Sequence, residues 1–174
     1  MNNCIPFLPN STKQLNNIYM QTGQQAPDFR LFDSDKKKVS LFDQKGSNVV
    51  VLFFPLAFTS VCTVELCSVR DNIASYNNAN AKVFGISIDS LYTLGKFKAE
   101  QNLNFPLLSD FNREAAKAYS VLYETFPAFE MQGVSKRAAF VIDKEGVIQY
   151  AEICPTPSDL PDFAAIQKTL AGLN

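Results

Sequence analysis

The cysteines are the residues of this sequence best suited to chemistry, because the chain contains no histidine. Its 174 residues include four cysteines, at Cys4, Cys62, Cys67 and Cys154. Histidine is the usual proton acceptor near neutral pH and the commonest metal ligand. Its absence excludes Ser-His-Asp and Cys-His nucleophile pairs, histidine-ligated zinc and a haem held by a proximal histidine. We therefore expect any activity of this chain to depend on a thiol.

Cys62 lies where a strand pattern gives way to a helix pattern. Apolar residues recur at spacings of three and four from Cys62 to Tyr76, which predicts an amphipathic helix. A thiol in the first turn of a helix meets free backbone N–H groups and the positive end of the helix dipole, and both favour the nucleophilic thiolate. The Thr59 hydroxyl is expected to donate to that thiolate or to an oxygen bound there. The same residues also fit a buried core cysteine in a helix that Thr59 or Ser60 caps.

Composition and charge narrow the classes of partner and compartment. The 16 basic and 17 acidic side chains nearly cancel, so we expect no nucleic acid and no membrane partner. Four cysteines are too few for a disulfide-dense secreted scaffold, and the N-terminus lacks the basic and apolar regions of a secretory signal. These features predict a cytoplasmic location in a reducing compartment.

The order of strand and helix patterns predicts an α/β domain at residues 26–174, preceded by an arm at residues 1–25. Strands are predicted at 28–32, 38–41, 48–54, 83–88, 138–142 and 147–152. Helices are predicted at 62–76, about 91–101, 113–119 and, after Ser158 and Asp159, to about 170. Alternating strands and helices indicate parallel strands, and the turn at 143–146 indicates an antiparallel pair. We expect a mixed central sheet flanked by helices, with an N-terminal β-hairpin extension.

The run from Pro55 to Cys62, Pro-Leu-Ala-Phe-Thr-Ser-Val-Cys, resembles the P-x-x-x-T/S-x-x-C signature of the peroxiredoxins. The similarity extends from about Gln24 to the end of the chain, and the run 135–143 resembles the family's arginine-bearing strand. The resemblance implies a thioredoxin-like fold and no metal or organic cofactor. It also implies that Cys62 is the peroxidatic cysteine, that Thr59 orients the peroxide and that Pro55 shields the site. Arg137 would hold the thiolate and polarise the O–O bond.

The first product of such a reaction is a sulfenic acid on Cys62, which condenses with a thiol or is oxidised further. The C-x4-C spacing of Cys62 and Cys67 resembles the bacterioferritin-comigratory (PrxQ-like) branch, which implies that Cys67 is the resolving cysteine. In an intact helix, five residues rise roughly 7.5 Å and leave the side chains about 140° apart. Since a disulfide needs Cα atoms within roughly 7 Å, the helix start must unwind for the two to join.

Other thiols remain alternatives for this step. The run 63–71 around Cys67 also resembles the AhpE-like one-cysteine branch, in which an external thiol resolves the sulfenic acid. Cys154 is a further candidate, and Cys4 is a position that glutathione or a partner chain could reach.

The resemblance implies a thiol peroxidase that reduces hydrogen peroxide and small alkyl hydroperoxides. Thioredoxin, glutaredoxin or another thiol reductant would recycle it, and Phe126, Phe129 and Met131 are candidate contacts of a homodimer. A non-enzymatic, peroxide-sensing thiol switch and a four-cysteine zinc site are alternatives from other classes. A thioredoxin-like disulfide reductase is disfavoured because the chain has no C-x-x-C motif.

Overall fold

A computed structural model describes residues 19–173, so Cys4 and most of the predicted arm lie outside the described residues. The strands are β1 (Arg30–Asp33), β2 (Lys38–Ser40), β3 (Asn48–Phe53), β4 (Ala81–Ser87), β5 (Leu107–Ser109), β6 (Ala138–Ile142) and β7 (Ile148–Ile153). The helices are α1 (Ser60–Asp71), α2 (Ile73–Asn78), α3 (Leu91–Glu100), α4 (Glu114–Ala118) and α5 (Phe163–Ala171). The described residues contain no helix that is both long and apolar enough to cross a membrane.

The strands form a single mixed sheet in the order β2-β1-β5-β4-β3-β6-β7. Strands β3, β4 and β5 are parallel, whereas β1 pairs antiparallel with β2 and β5, and β6 pairs antiparallel with β3 and β7. The structure therefore confirms the mixed α/β sheet, the leading hairpin and the trailing antiparallel pair.

Strand β3 is buried along its whole length, as its continuous run of β-branched and aromatic residues predicts. Val50 and Leu52 pack in one hydrophobic cluster with residues of α1 and α3, and Val51 and Phe53 pack in a second cluster on the opposite face. Full burial of such a side chain contributes about 1.5–3 kcal/mol. The carboxyl end of β3, from which the chain enters α1, is thus firmly held.

Two predicted helices have different bounds in the structure. The helix predicted at 62–76 is wrong as one continuous element, because Asn72 leaves helical geometry (φ −111°, ψ 15°) and separates α1 from α2. The apolar spacing runs through this break because Val69 and Tyr76 pack in the same cluster. The final helix begins at Phe163 rather than directly after Asp159, since the Asp162 side chain accepts a hydrogen bond from the Ala165 N–H and caps the helix.

Strand β5 was not predicted. It has only three residues, too few for a periodic pattern, and it is a strand because it lies between β1 and β4 and pairs with both. The described part of the predicted arm begins at Tyr19, and Gly23, Gln24 and Ala26 form backbone hydrogen bonds with residues 146–148. The division into an arm at 1–25 and a domain at 26–174 stays a prediction.

Candidate active site

Cys62 is the third residue of α1 and is 1% exposed. The chain reaches it from β3 through residues 54–59, which we call the active-site loop. Because the first hydrogen bond within the helix runs from the Thr63 N–H to the Thr59 carbonyl, at 3.0 Å, the preceding N–H groups have no carbonyl partner inside the helix. Such free N–H groups at a helix start stabilise negative charge. The sulfur therefore lies at an end of the helix suited to a thiolate.

Arg137 contacts this sulfur from the neighbouring strand. Its Nη2 donates to Cys62 Sγ at 3.4 Å and to the Pro157 carbonyl at 2.9 Å, and the side chain is 1% exposed. Arg137 immediately precedes β6, in which Ala138 pairs with Phe53 at the end of β3. This register brings a buried cation to the start of α1.

Glu65 is a site residue that the sequence analysis missed. It lies one helical turn after Cys62, is fully buried and accepts a hydrogen bond from Arg137 Nη1 through Oε2. Burial raises the pKa of Glu65 to about 7, against the opposing attraction and hydrogen bond of Arg137. A charged residue on the apolar stripe, three positions after the cysteine, was the signal that could have revealed it. Arg137 is thus held between the Cys62 sulfur and the Glu65 carboxylate.

The two other signature residues lie in the active-site loop. Pro55 is buried, whereas Thr59 is exposed and occupies the position before the first helical residue. The Thr59 hydroxyl donates to the Leu56 carbonyl at 2.8 Å and accepts no capping hydrogen bond from the first-turn N–H groups of α1. The expected bond from Thr59 to the sulfur is therefore replaced by one within the loop, because the extended backbone at Thr59 places its hydroxyl near Leu56. Its role toward a bound peroxide stays a prediction.

Cys67 lies in the same intact helix but in different surroundings from Cys62. It is half-buried, and its sulfur accepts a hydrogen bond from Arg70 Nη1 at 3.4 Å and lies 3.8 Å from Gln101 Oε1. Arg70 Nη1 also donates to the Gln101 carbonyl at 2.6 Å, which ties the end of α1 to the end of α3. The two sulfurs thus contact different partners, and the described cysteines are all free thiols.

Cys154 follows β7 and is buried beside the Arg137 backbone. Its N–H donates to the Arg137 carbonyl at 2.9 Å. Burial, with a further contribution from Glu152, raises the pKa of the Cys154 thiol to about 12. Since the thiolate is the nucleophile, this environment makes Cys154 a poor resolving candidate near neutral pH.

Two further sequence hypotheses concern the surface and metal binding. Phe129 is 89% exposed. Phe126 and Met131 are half-buried at the two ends of the loop 126–131, where the Phe126 N–H donates to the Met131 carbonyl at 2.7 Å. Within residues 19–173, no group of three or more Cys, Asp or Glu side chains is arranged to hold a metal ion. The zinc alternative therefore gains no support from the described residues.

Comparison with known proteins decides the family. The sequence model of the AhpC/TSA family matches residues 22–151. The chain belongs to this family, the peroxiredoxins. It is 41% identical over 131 residues to a provisionally named peroxiredoxin of Mycobacterium tuberculosis, a match that covers 75% of this chain and 83% of that protein. It is 34% identical over 157 residues to alkyl hydroperoxide reductase E of Mycobacterium bovis, covering 88% and 98% respectively.

The crystal structure of peroxidoxin BcpB from Mycobacterium tuberculosis superposes with a TM-score of 0.75 at 29% identity, covering 89% of this chain and 97% of that one. These matches confirm the thioredoxin-like α/β fold and the peroxiredoxin resemblance of the sequence. They also show that the protein is an enzyme, a thiol peroxidase.

Proposed function

We propose that this peroxiredoxin reduces hydrogen peroxide and small alkyl hydroperoxides through Cys62. The observation that carries the proposal is the buried contact of Arg137 Nη2 with Cys62 Sγ, at 3.4 Å, beside the free N–H groups of a helix start. The Cys62 thiolate attacks one peroxide oxygen, an S–O bond forms and the O–O bond breaks. The sulfur is oxidised to sulfenic acid, and the departing hydroxide or alkoxide takes up a proton to give water or an alcohol.

The surrounding residues act on the charge that moves in this step. Negative charge leaves the sulfur and develops on the departing oxygen, where fixed donors are worth most in a site that excludes water. Arg137 and the first-turn N–H groups provide such donors. In our proposal Thr59 orients the peroxide, and buried Pro55 keeps water from the sulfur.

Cys67 is proposed to resolve the sulfenic acid. Its thiolate attacks the Cys62 sulfur, the S–S bond forms, and the S–O bond breaks with loss of hydroxide, which is protonated to water. The helix must open for this, and its first turns are suited to opening: Ser60 is exposed and Val64 is 56% exposed. The end of α1 stays anchored through Arg70, so the Cys62 segment is the part that moves toward Cys67.

Recycling needs an outside reductant. A thioredoxin- or glutaredoxin-type dithiol that reduces the Cys62–Cys67 disulfide is the partner this mechanism requires. We propose that this peroxiredoxin acts in the cytoplasm. We also propose that its exposed Phe129 contributes to a homodimer contact.

A one-cysteine mechanism is the second candidate, with an external thiol that attacks the Cys62 sulfenic acid. Two observations favour it: the two sulfurs contact different partners within an intact α1, and the chain is similar to alkyl hydroperoxide reductase E.

The deciding experiment treats the reduced protein with one equivalent of hydrogen peroxide, followed by intact mass measurement and peptide mapping. Loss of two hydrogens with a Cys62–Cys67 linkage establishes the intramolecular mechanism. Gain of one oxygen on Cys62 establishes the one-cysteine mechanism, and a Cys62–Cys154 linkage moves the resolving role. An unchanged mass contradicts peroxide reduction at Cys62. Cys62→Ser is the control, in which no oxygen should be gained and no disulfide formed at this dose.

A further inference from the structure

Asp89, which follows β4, contacts the active-site loop although it lies outside the peroxiredoxin signature. It is half-buried, and its Oδ2 accepts a hydrogen bond from the Ala57 N–H at 2.8 Å. Ala57 lies midway between buried Pro55 and Thr59. This hydrogen bond ties the backbone of the active-site loop to a side chain that follows another strand.

The Asp89 carboxylate is itself held in place by the ends of two strands. Ser87 Oγ donates to Asp89 Oδ2 at 2.8 Å and accepts from the Asp89 N–H at 3.1 Å. Ser109 Oγ, at the end of β5, donates to the Asp89 carbonyl at 2.6 Å. Ser87 is fully buried. A carboxylate fixed at its side chain and at its backbone is a rigid acceptor for the loop.

The active-site loop needs such an anchor because Phe58, the residue after Ala57, has strained backbone geometry. Phe58 has a φ of 64°, in the left-handed region that a residue with a side chain adopts only when its surroundings require it. Its ring packs on Phe97 of α3, with centroids 5.1 Å apart. The Ala57 bond immediately before Phe58 and the Phe97 contact together hold this bend, and Thr59 and the start of α1 follow directly from it.

We propose that Asp89 is a positioning residue for the peroxide reaction and acts through the backbone of Ala57. The carboxylate fixes the bend of the active-site loop, and the bend sets where the Thr59 hydroxyl stands relative to Cys62. This inference rests on the proposed role of Cys62 and adds a residue that neither touches the peroxide nor contacts the sulfur.

The test compares two rate constants of Cys62 in the full-length protein. Oxidation by hydrogen peroxide requires an oriented substrate, whereas alkylation by iodoacetamide requires only an accessible thiolate. Because misplacement by about 1 Å can cost on the order of 100-fold in rate, we expect Asp89→Ala to slow oxidation about ten-fold or more. Alkylation should stay at the wild-type rate or increase as the loop loosens. Asp89→Asn keeps an oxygen for the Ala57 N–H and should recover most of the oxidation rate.

Asp143→Ala is the matched control. Its carboxylate also holds a loop, by accepting from the N–H groups of Glu145 and Val147, but it follows β6 at the strand end opposite Arg137. Both rates should stay at wild-type values in this variant. The inference would be overturned if Asp89→Ala were oxidised at the wild-type rate. It would also be overturned if oxidation and alkylation of Cys62 slowed by the same factor in both Asp89→Ala and Asp89→Asn. Failure of the wild-type Cys62 to react with peroxide is a separate result, which overturns the proposed function and this inference with it.

Discussion

Arg137 and Cys62 are in direct contact although 75 residues separate them in the chain. The contact exists because β6 lies antiparallel beside β3, so that the residue before β6 stands at the end of β3 where α1 begins. Arg137 is buried there with a second partner, Glu65, and it is this pairing that lets a cation stay in the core. The same guanidinium therefore pairs with Glu65 in the core and stabilises negative charge on the Cys62 sulfur.

Loss of the guanidinium should slow the first chemical step. In Arg137→Met we expect the rate constant of Cys62 oxidation by hydrogen peroxide to fall about 100- to 1,000-fold, the range for removal of one fixed donor from an active site. Stopped-flow measurement of a single turnover checks this.

Lys136→Met is the matched control for Arg137→Met, because it removes the neighbouring positive charge. The Lys136 ammonium lies over the rings of Tyr19 and Tyr123 instead of at the site. Its oxidation rate should remain within about two-fold of wild type, because a partly exposed distant charge acts weakly. Equal effects of the two substitutions would show that net charge, and not the Arg137 contact, sets the rate.

Glu65 should make stability depend on pH. Its pKa is raised by burial from 4.5 to about 7, so between these values the unfolded chain has lost a proton that the folded chain keeps. The stability of the wild type relative to Glu65→Gln should therefore be greatest below about pH 4.5 and decline as pH rises to about 7, at up to roughly 1.4 kcal/mol per pH unit. Urea unfolding of both proteins between pH 4 and pH 8 measures the difference. A difference that stays constant or grows with pH would contradict the raised pKa.

Cys67→Ser should separate the two chemical steps. We expect normal oxidation of Cys62 but no intramolecular disulfide, so that sulfenic acid accumulates and excess peroxide drives it to the sulfinic state. Trapping with dimedone and intact mass measurement follow these species. Cys154→Ser, which removes the thiol whose pKa is raised to about 12, should form the disulfide at the wild-type rate. Disulfide formation that survives in Cys67→Ser but is lost in Cys154→Ser would reverse the assignment.

The opening of α1 should limit the rate of disulfide formation. Val64 is 56% exposed in the segment between the two cysteines, so its replacement acts chiefly through helix propensity. Val64→Ala stabilises the helix by about 0.5 kcal/mol and should slow disulfide formation about two-fold, whereas Val64→Gly should accelerate it. Tryptic mapping of quenched samples measures this step. Equal rates in the two variants would mean that α1 need not open.

The sequence by itself determined the kind of chemistry and the local elements. The absence of histidine indicated thiol chemistry, the resemblance of the run 55–62 to the peroxiredoxin signature implied a thiol peroxidase, and the family match confirms this class. The buried run of β3 and the hairpin were predicted correctly because apolar periodicity and turn residues are local signals. Strand β5 and the break at Asn72 escaped prediction, because pairing with neighbouring strands and packing in the core decide them.

Only the tertiary structure decided which side chains meet at the site. The contact of Glu65 with Arg137 depends on the register of β6 against β3, and the contact of Asp89 with Ala57 depends on the parallel pairing of β4 with β3. The direction of the Thr59 hydroxyl depends on the bend at Phe58, which Phe97 supports from a distant helix. Spacing along a chain records which residues share a face of one element, whereas distances between elements follow from strand register and packing.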